Sequence, residues 1–257
     1  MLYSAIKAIT YKQPIYTALS AVLLLATASS AVAADSNTQA TTLQANDYCD
    51  SELQSKTPAY KYQSTHQRAM QCMLTQLKEY QRKSMSARQQ YFAYKAQAWL
   101  TYAIHQDSMN SRSTAGLQAA QFAETILHAL KNDTIQDISL HQDIPSNSAL
   151  MRPDLWATLS ALKDSDGITS APRELAFSEV SLIWAATNQC ERGWRESGSH
   201  FRMADRWLEQ AREAYVNAND SQTNVALQNL IVSYYERYAP LDTSTDICRG
   251  QVLTPIR

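Results

Sequence analysis

The sequence is poor in glycine and proline, the residues that most often interrupt regular secondary structure. Its 257 residues include 5 glycines and 7 prolines, and beyond the N-terminal region these lie near breaks in the hydrophobic pattern. No segment shows the sustained apolar–polar alternation that is typical of a β-strand. We therefore predict an all-α protein, an antiparallel helical-hairpin bundle of about six or seven helices, stapled by disulfides.

Familiar catalytic and nucleotide-binding motifs are also absent. The sequence contains no GxSxG, GxGxxG, phosphate-binding loop, HExxH or EF-hand pattern, and its cysteines and histidines show neither CxxC nor HxxxH spacing. Charges of both signs are scattered, without the basic face that nucleic acid or anionic lipid would need. We expect no catalytic residue, metal, cofactor or nucleic-acid partner.

The first 34 residues have the layout of a secretory signal peptide. Two lysines and no acidic residue precede the apolar residues 18–26, and small residues then lead to Ala33 and Ala34. We predict cleavage after one of these two alanines. The alternative is an uncleaved membrane anchor, but the apolar stretch is shorter than the roughly 20 residues that a spanning helix needs.

The remainder carries no second apolar run long enough to span a bilayer. Loss of the two lysines changes the formal net charge from −1 to −3. We expect a periplasmic or released protein with a polar lead-in over residues 35–57. A single helical domain follows over residues 58–257, with a C-terminal tail from about residue 240.

Helical periodicity is clearest in the second half of the chain. We predict helices over about residues 173–192, 199–217 and 222–238, preceded by one that begins at Pro153 and stops near residues 164–167. Segments near residues 95–127 and 179–208 show a weak internal echo. Two stacked hairpins explain it, but so does the general likeness of amphipathic hairpins.

All four cysteines lie beyond the predicted signal peptide, and an even number in an exported chain indicates disulfides. Three pairings exist, and the sequence does not choose among them. We favour Cys49–Cys72 with Cys190–Cys248, because this arrangement pins each terminal segment to a helix.

Glu196 is the candidate acid of a peptidoglycan-directed enzyme. A Glu-Ser pair at the start of a helix is how lytic transglycosylases place a catalytic acid, which must be buried to protonate a glycosidic oxygen. The Gly-Leu-Met-Gln element and the aromatic groove motif of those enzymes are absent. The alternative is that Ser197 or Ser199 simply caps the next helix.

A second candidate site surrounds a tryptophan that we place in a hairpin loop. Trp194 adjoins Arg195, with His200 and Arg202 close by, and an aromatic ring beside cations suits an anionic or glycan group. The structural alternative is that Trp194 closes the end of the helical stack while Arg195 binds helix carbonyls.

One segment is Tyr94-Lys-Ala-Gln-Ala-Trp-Leu100 with the helix that follows, and another is Glu179-Val-Ser-Leu-Ile-Trp-Ala185 with Gly193-Trp-Arg195 and Ala204-Asp205. Both resemble parts of the helical N-terminal region of certain proteobacterial OmpA-like envelope proteins. The resemblance implies an envelope-associated helical module. We expect this chain to lack the peptidoglycan-binding domain of that family, so anchoring to the cell wall through that domain does not carry over.

The sequence therefore favours a non-catalytic periplasmic binding or scaffold protein of undefined ligand. Its expected partner is another envelope protein or a cell-wall component. Two alternatives remain: an enzyme with Glu196 as its acid, which requires that carboxylate to be buried in a cleft, and a small-molecule carrier or sensor. The latter requires Trp194, Arg195 and His200 to converge.

Overall fold

Polar side chains set the start of three helices. Ser64, Ser86 and Asp220 each accept a hydrogen bond from the backbone N–H three residues later, which satisfies a donor that the helix itself leaves free. Two further helices begin at Pro153 and Pro172, where proline costs no hydrogen bond because the first helical N–H has no partner within the helix.

The computed structural model describes Cys49 and residues 64–109, 111, 113–242, 248–253 and 255. All of them lie in one compact unit, Thr42–Arg257. The predicted signal peptide and nearly all of the lead-in fall outside the described residues. The α-helices are, in order, α1 (Thr65–Tyr80), α2 (Ala87–Ser108), α3 (Ala115–Lys131), α4 (Pro153–Asp164), α5 (Gly167–Ser170), α6 (Pro172–Arg192), α7 (Trp194–Ala218) and α8 (Ser221–Tyr238).

The all-α prediction is confirmed for this part of the chain. Eight helices are described, of which α5 is a single turn, and short 3₁₀ turns lie at Ile135–Asp137 and Ala239–Leu241. The described residues contain no strand, only an isolated bridge between Ile144 and Gln251. None of the described helices has the length and apolar character needed to cross a bilayer.

Helices α2 and α3 pack as one hairpin, and α6 and α7 pack as another. The hairpins stack because α2 also packs against α6, while α4 packs against α8. Large aromatic side chains fill the interior where these helices meet, among them Trp99, Trp156, Tyr91 and Tyr234. The sequence therefore folds around a core in which buried aromatic residues supply much of the apolar area.

The turn between α6 and α7 corrects the sequence-based prediction. Gly193 adopts a left-handed φ of 86°, and its N–H bonds the carbonyls of Asn188 and Gln189, so the chain reverses at one residue. Trp194 is thus the first residue of α7 rather than part of a loop. The prediction that Ser197 or Ser199 caps this helix is wrong, since both lie inside it.

The favoured disulfide pairing is confirmed. Cys49 is bonded to Cys72 on α1, and Cys190 near the end of α6 is bonded to Cys248 in the C-terminal tail. Each terminal segment is therefore covalently attached to a helix.

The C-terminal tail also holds the loop that connects α3 to α4. Ile144 and Gln251 exchange two backbone hydrogen bonds of 2.8 and 3.1 Å, and the N–H of Gly250 donates to the carbonyl of Ser148 at 2.9 Å. The N–H of Leu253 donates to the Asp143 carboxylate at 3.0 Å. These bonds fix the loop whose residues 138–142 border the site described next.

Candidate functional site

Three charged side chains meet in the interior of the bundle. The Nζ atoms of Lys95 on α2 and Lys163 on α4 each lie 2.8 Å from a carboxylate oxygen of Glu179 on α6. The exposed fraction is 2% for each lysine side chain and 0% for the glutamate. Buried charges are rare unless they are paired, and here two cations share a single anion.

Two further hydrogen bonds complete this arrangement. The Tyr91 hydroxyl donates to Oε2 of Glu179, and Lys163 Nζ donates to the carbonyl of Leu140 at 2.7 Å. We call Tyr91, Lys95, Lys163 and Glu179 the Glu179 cluster. The carboxylate of Glu179 on α6 accepts from two side chains of α2 and one of α4, so the cluster ties these three helices together.

Helical spacing delivers Lys95 and Glu179 to the core. Lys95 follows Tyr91 by one helical turn on the buried face of α2 and precedes Trp99 by another. Glu179 lies on the buried face of α6, between Leu175 and Ile183. Residues four apart project from the same side of a helix, so a charge in an otherwise apolar repeat is forced inward.

Near neutral pH the electrostatics of the cluster favour an ionised Glu179 and a neutral Tyr91. Burial by itself would raise the pKa of Glu179, but the charges of Lys163 and Lys95 outweigh it and lower that pKa to about 2. Burial lowers the pKa of Lys95 to about 8, although the carboxylate opposes this shift. Burial, and next the Glu179 charge, raises the pKa of Tyr91 well above its ordinary value. The cluster thus retains a net positive charge in the core.

A second polar network adjoins the Glu179 cluster. Its Asp164 follows Lys163 on α4, and its His141 follows Leu140 in the loop. Asp164 accepts a 2.6 Å hydrogen bond from Nε2 of His141 and another from the hydroxyl of Tyr234. Burial opposes the charge on Asp164, but the bonds from His141 and Tyr234 outweigh it and hold the pKa of this carboxyl below its ordinary value. Leu140 and His141 are therefore both held by the last two residues of α4.

The two networks border one cavity of about 210 Å³ between α2, α3 and the loop. Its lining includes Lys95 and His141 and is otherwise mainly apolar. We call it the Phe92 cavity. Its walls and rim are formed by Phe92, Phe122, Thr125, Ile126, Ile138, Ser139 and Gln142.

The wall at Ile138 is held by an arginine of α2. The Arg88 guanidinium donates to the carbonyls of Ile135 and Gln136 at 3.1 and 3.2 Å and to that of Ile138. One side chain thereby satisfies two carbonyls of the 3₁₀ turn and that of the residue after it. The loop side of the cavity is thus anchored to the same helix that carries Lys95.

The residues predicted around Trp194 are not placed at this cavity. The His200 ring stacks on Trp184, with centroids 4.1 Å apart, and burial, followed by the nearby His105, lowers the pKa of His200. Arg195 and Arg202 are exposed. The side chain of Trp194 lies outside the described part of the structure, so the convergence that the carrier hypothesis required stays a prediction.

Glu196 is exposed rather than buried. It lies in the first turn of α7, its side chain is 51% exposed, and its carboxylate pairs with Arg192 at 3.2 Å. A catalytic acid with a raised pKa needs a desolvated carboxyl group, and Glu196 does not have that environment.

In the described residues no group of three His, Cys, Asp or Glu side chains is arranged to hold a metal ion.

The sequence interpretation missed Lys95, Lys163 and Glu179 as site residues. Lys95 and Glu179 each begin one of the two segments that show the weak internal echo, and both were interpreted only as parts of helices. The available signal was their register, because each is a charged residue at a position that its helix assigns to the core. Periodicity shows which face of each helix is buried, but it does not show which residues form ion pairs there. The three residues come together only in the folded protein.

No family model, no curated protein and no solved structure matches this sequence.

Proposed function

We propose that this protein is a non-catalytic binding protein of the bacterial cell envelope and that the Phe92 cavity holds its ligand. The observation that carries the proposal is the excess positive charge of the Glu179 cluster beside that cavity. A buried charge costs free energy unless it is paired, and well-packed apolar residues often stabilise a core better than an ion pair does. Two lysines sharing one carboxylate are poorly explained by stability alone.

Histidine 141 supports the same proposal. Its side chain is 8% exposed, and its Nδ1 atom is buried with no hydrogen-bond partner among the described residues. A buried polar atom without a partner is rare in native proteins and often marks a functional site. Because His141 also lines the Phe92 cavity, a bound molecule is a natural partner for that atom.

The proposed location rests on the predicted signal peptide and on the two disulfides. Disulfides form and persist in oxidising compartments such as the periplasm. Expression of the full chain in a Gram-negative host, followed by fractionation and intact mass measurement, tests this. We expect periplasmic protein that begins at Ala34 or Asp35 and carries two disulfides. A cytoplasmic, uncleaved product would contradict the proposal.

Two matched variants test whether the cavity binds a ligand. Thr125 on α3 lines the cavity, whereas Thr101 on α2 does not, and both are exposed. Both hydroxyls donate to the carbonyl four residues earlier at 2.9 Å, so a change to tryptophan removes the same local bond. The Thr125→Trp variant places a large ring at the cavity, and Thr101→Trp is its control.

The measurement is the release of small molecules from protein purified under native conditions from the periplasm, followed by mass spectrometry. We expect a compound that co-purifies with the wild type and with Thr101→Trp, at much lower occupancy in Thr125→Trp. Equal recovery from all three proteins, or none from any, would refute the proposed cavity function. Chemical turnover of the compound would overturn the non-catalytic assignment.

The expected cell-wall or protein partner remains a prediction. Co-sedimentation of the oxidised protein with purified sacculi tests the cell-wall part. Sedimentation that Thr125→Trp does not change would place the cell-wall contact outside the Phe92 cavity.

A further inference from the structure

The hydrogen-bonding capacity of Lys95 is only partly used. An ammonium group has three donors, and the acceptor that Lys95 Nζ meets in the described part of the chain is Glu179. Its other close neighbours are the faces of Tyr91 and Phe92, with centroids 5.6 and 5.9 Å away. By contrast, Lys163 binds both Glu179 and a backbone carbonyl. Of the two buried lysines, the one that borders the Phe92 cavity is the one with donors to spare.

The tautomer of His141 is set by its neighbour. An ionised carboxylate can only accept hydrogen bonds, so the 2.6 Å contact with Asp164 requires the proton on Nε2. Nδ1 has no partner among the described residues. A hydroxyl group both donates and accepts, so it can pair with this nitrogen whether or not Nδ1 carries a proton.

Shape and polarity restrict the remaining part of the ligand. The walls of the cavity come from aromatic and branched apolar side chains, mainly Phe92, Phe122, Ile126 and Ile138. A volume of about 210 Å³ is below the roughly 300–1,000 Å³ of pockets that take drug-sized ligands. A small, largely apolar molecule fits this lining.

We propose that the Phe92 cavity binds a small apolar hydroxy acid, whose carboxylate accepts from Lys95 and whose hydroxyl forms a hydrogen bond with Nδ1 of His141. The carboxylate supplies the negative charge that the Glu179 cluster lacks. The apolar remainder lies against Phe92, Phe122 and Ile126. This inference rests on the proposed binding function and adds the chemical class of the ligand.

Three probes that differ in one group each test the two polar contacts. They are 3-phenyllactate, 3-phenylpropionate, which lacks the hydroxyl, and 3-phenyllactamide, which lacks the charge. Isothermal titration calorimetry is run with oxidised protein from the periplasm. We expect 3-phenyllactate to bind most tightly, about 2- to 10-fold tighter than 3-phenylpropionate and at least about tenfold tighter than the amide.

Variants then assign the contacts to residues. Lys95→Met leaves the one-to-one pair of Glu179 and Lys163, so the variant should keep its fold, and we expect it to abolish the preference for acid over amide. His141→Phe should abolish the preference for the hydroxy acid over 3-phenylpropionate. Thr125→Trp should weaken all three probes, with Thr101→Trp as the control that leaves them unchanged.

The results separate the two proposals. Binding of the amide as tightly as 3-phenyllactate, or failure of all three probes, would overturn the assigned ligand class. The binding function itself would survive if a co-purifying compound still depended on Thr125. If neither the probes nor any co-purifying compound depended on Thr125, both proposals would fall.

Discussion

Lys95 and Glu179, on separate helices of the two stacked hairpins, form a 2.8 Å ion pair in the interior of the bundle. The pair links α2 to α6, which are also in direct packing contact. Because Lys163 shares the same carboxylate, the balance of charge in the core depends on one residue.

Replacement of Glu179 by glutamine should strongly destabilise the protein. It leaves two buried ammonium groups without a counter-charge, and breaking a buried ion pair in this way costs about 3–5 kcal/mol. Lys95→Met removes the surplus cation instead, so we expect its free energy of unfolding to lie within about 1 kcal/mol of wild type. Urea unfolding followed by circular dichroism measures both.

The control for this comparison is Glu209→Gln on the exposed side of α7. A surface substitution of this kind should change stability by no more than about 0.5 kcal/mol. A similar loss in the Glu179 and Glu209 variants would show that the Glu179 cluster does not stabilise the fold.

Acid should weaken the fold through Glu179. The pKa of this carboxyl is about 2 in the folded chain against an ordinary value of 4.5, so the unfolded chain binds the proton first. The stabilisation is therefore complete above about pH 4.5 and is lost as the pH falls towards 2, by about 3 kcal/mol in all. Unfolding free energies measured between pH 2 and 6 should show this slope in wild type, and Glu179→Gln should lack most of it. A parallel slope in both proteins would assign the acid sensitivity to other carboxylates.

Gly250, in the C-terminal tail, should not tolerate a side chain. Its φ is 73°, and an added Cβ would lie 2.5 Å from the carbonyl oxygen of Ile144. We expect Gly250→Ala to cost about 1–3 kcal/mol. Gly198 lies within α7, where the nearest atom to an added Cβ is 3.8 Å away, so Gly198→Ala should stabilise the helix by about 0.5–1 kcal/mol. Thermal unfolding of the two variants measures these opposite effects, and a shift of the same sign in both would contradict them.

The two disulfides should contribute unequally. The sequence separation is 58 residues for Cys190–Cys248 and 23 for Cys49–Cys72, and the entropy lost by the unfolded chain grows with the size of the closed loop. Removal of each pair by alanine substitution should cost about 4 and about 3 kcal/mol, respectively. Denaturant unfolding of the two double variants gives the comparison. Peptide mapping without reduction verifies the remaining bond, and a larger loss from the Cys49–Cys72 pair would contradict the loop-length argument.

The helices were predictable from sequence because their signals are local. The stop after Asp164 and the span of α6 follow from a Ser-Asp-Gly turn and a proline start. The start of α7 was predicted too late, at about residue 199. The sequence suggested a loop of several residues before this helix, but Gly193 alone makes the turn. The disulfide pairing was a choice among three, guided by which terminal segments needed attachment.

The site was not predictable in the same way, since its geometry is tertiary. His141 and Asp164 meet across the loop before α4, and no fixed spacing announces such a contact. The cavity exists only because α2, α3 and residues 138–142 converge. By contrast, the candidate site around Trp194 was inferred from its residue types alone.

The shared carboxylate of Glu179 also constrains how this protein can evolve. Loss of the glutamate leaves two buried cations without a counter-charge, whereas loss of either lysine leaves a neutral pair. Mutational paths should therefore change a lysine before the glutamate, and descendants that lack Glu179 should lack both lysines as well. Joint substitution at positions 95, 163 and 179 is thus the signature by which distant relatives of this chain should be recognised.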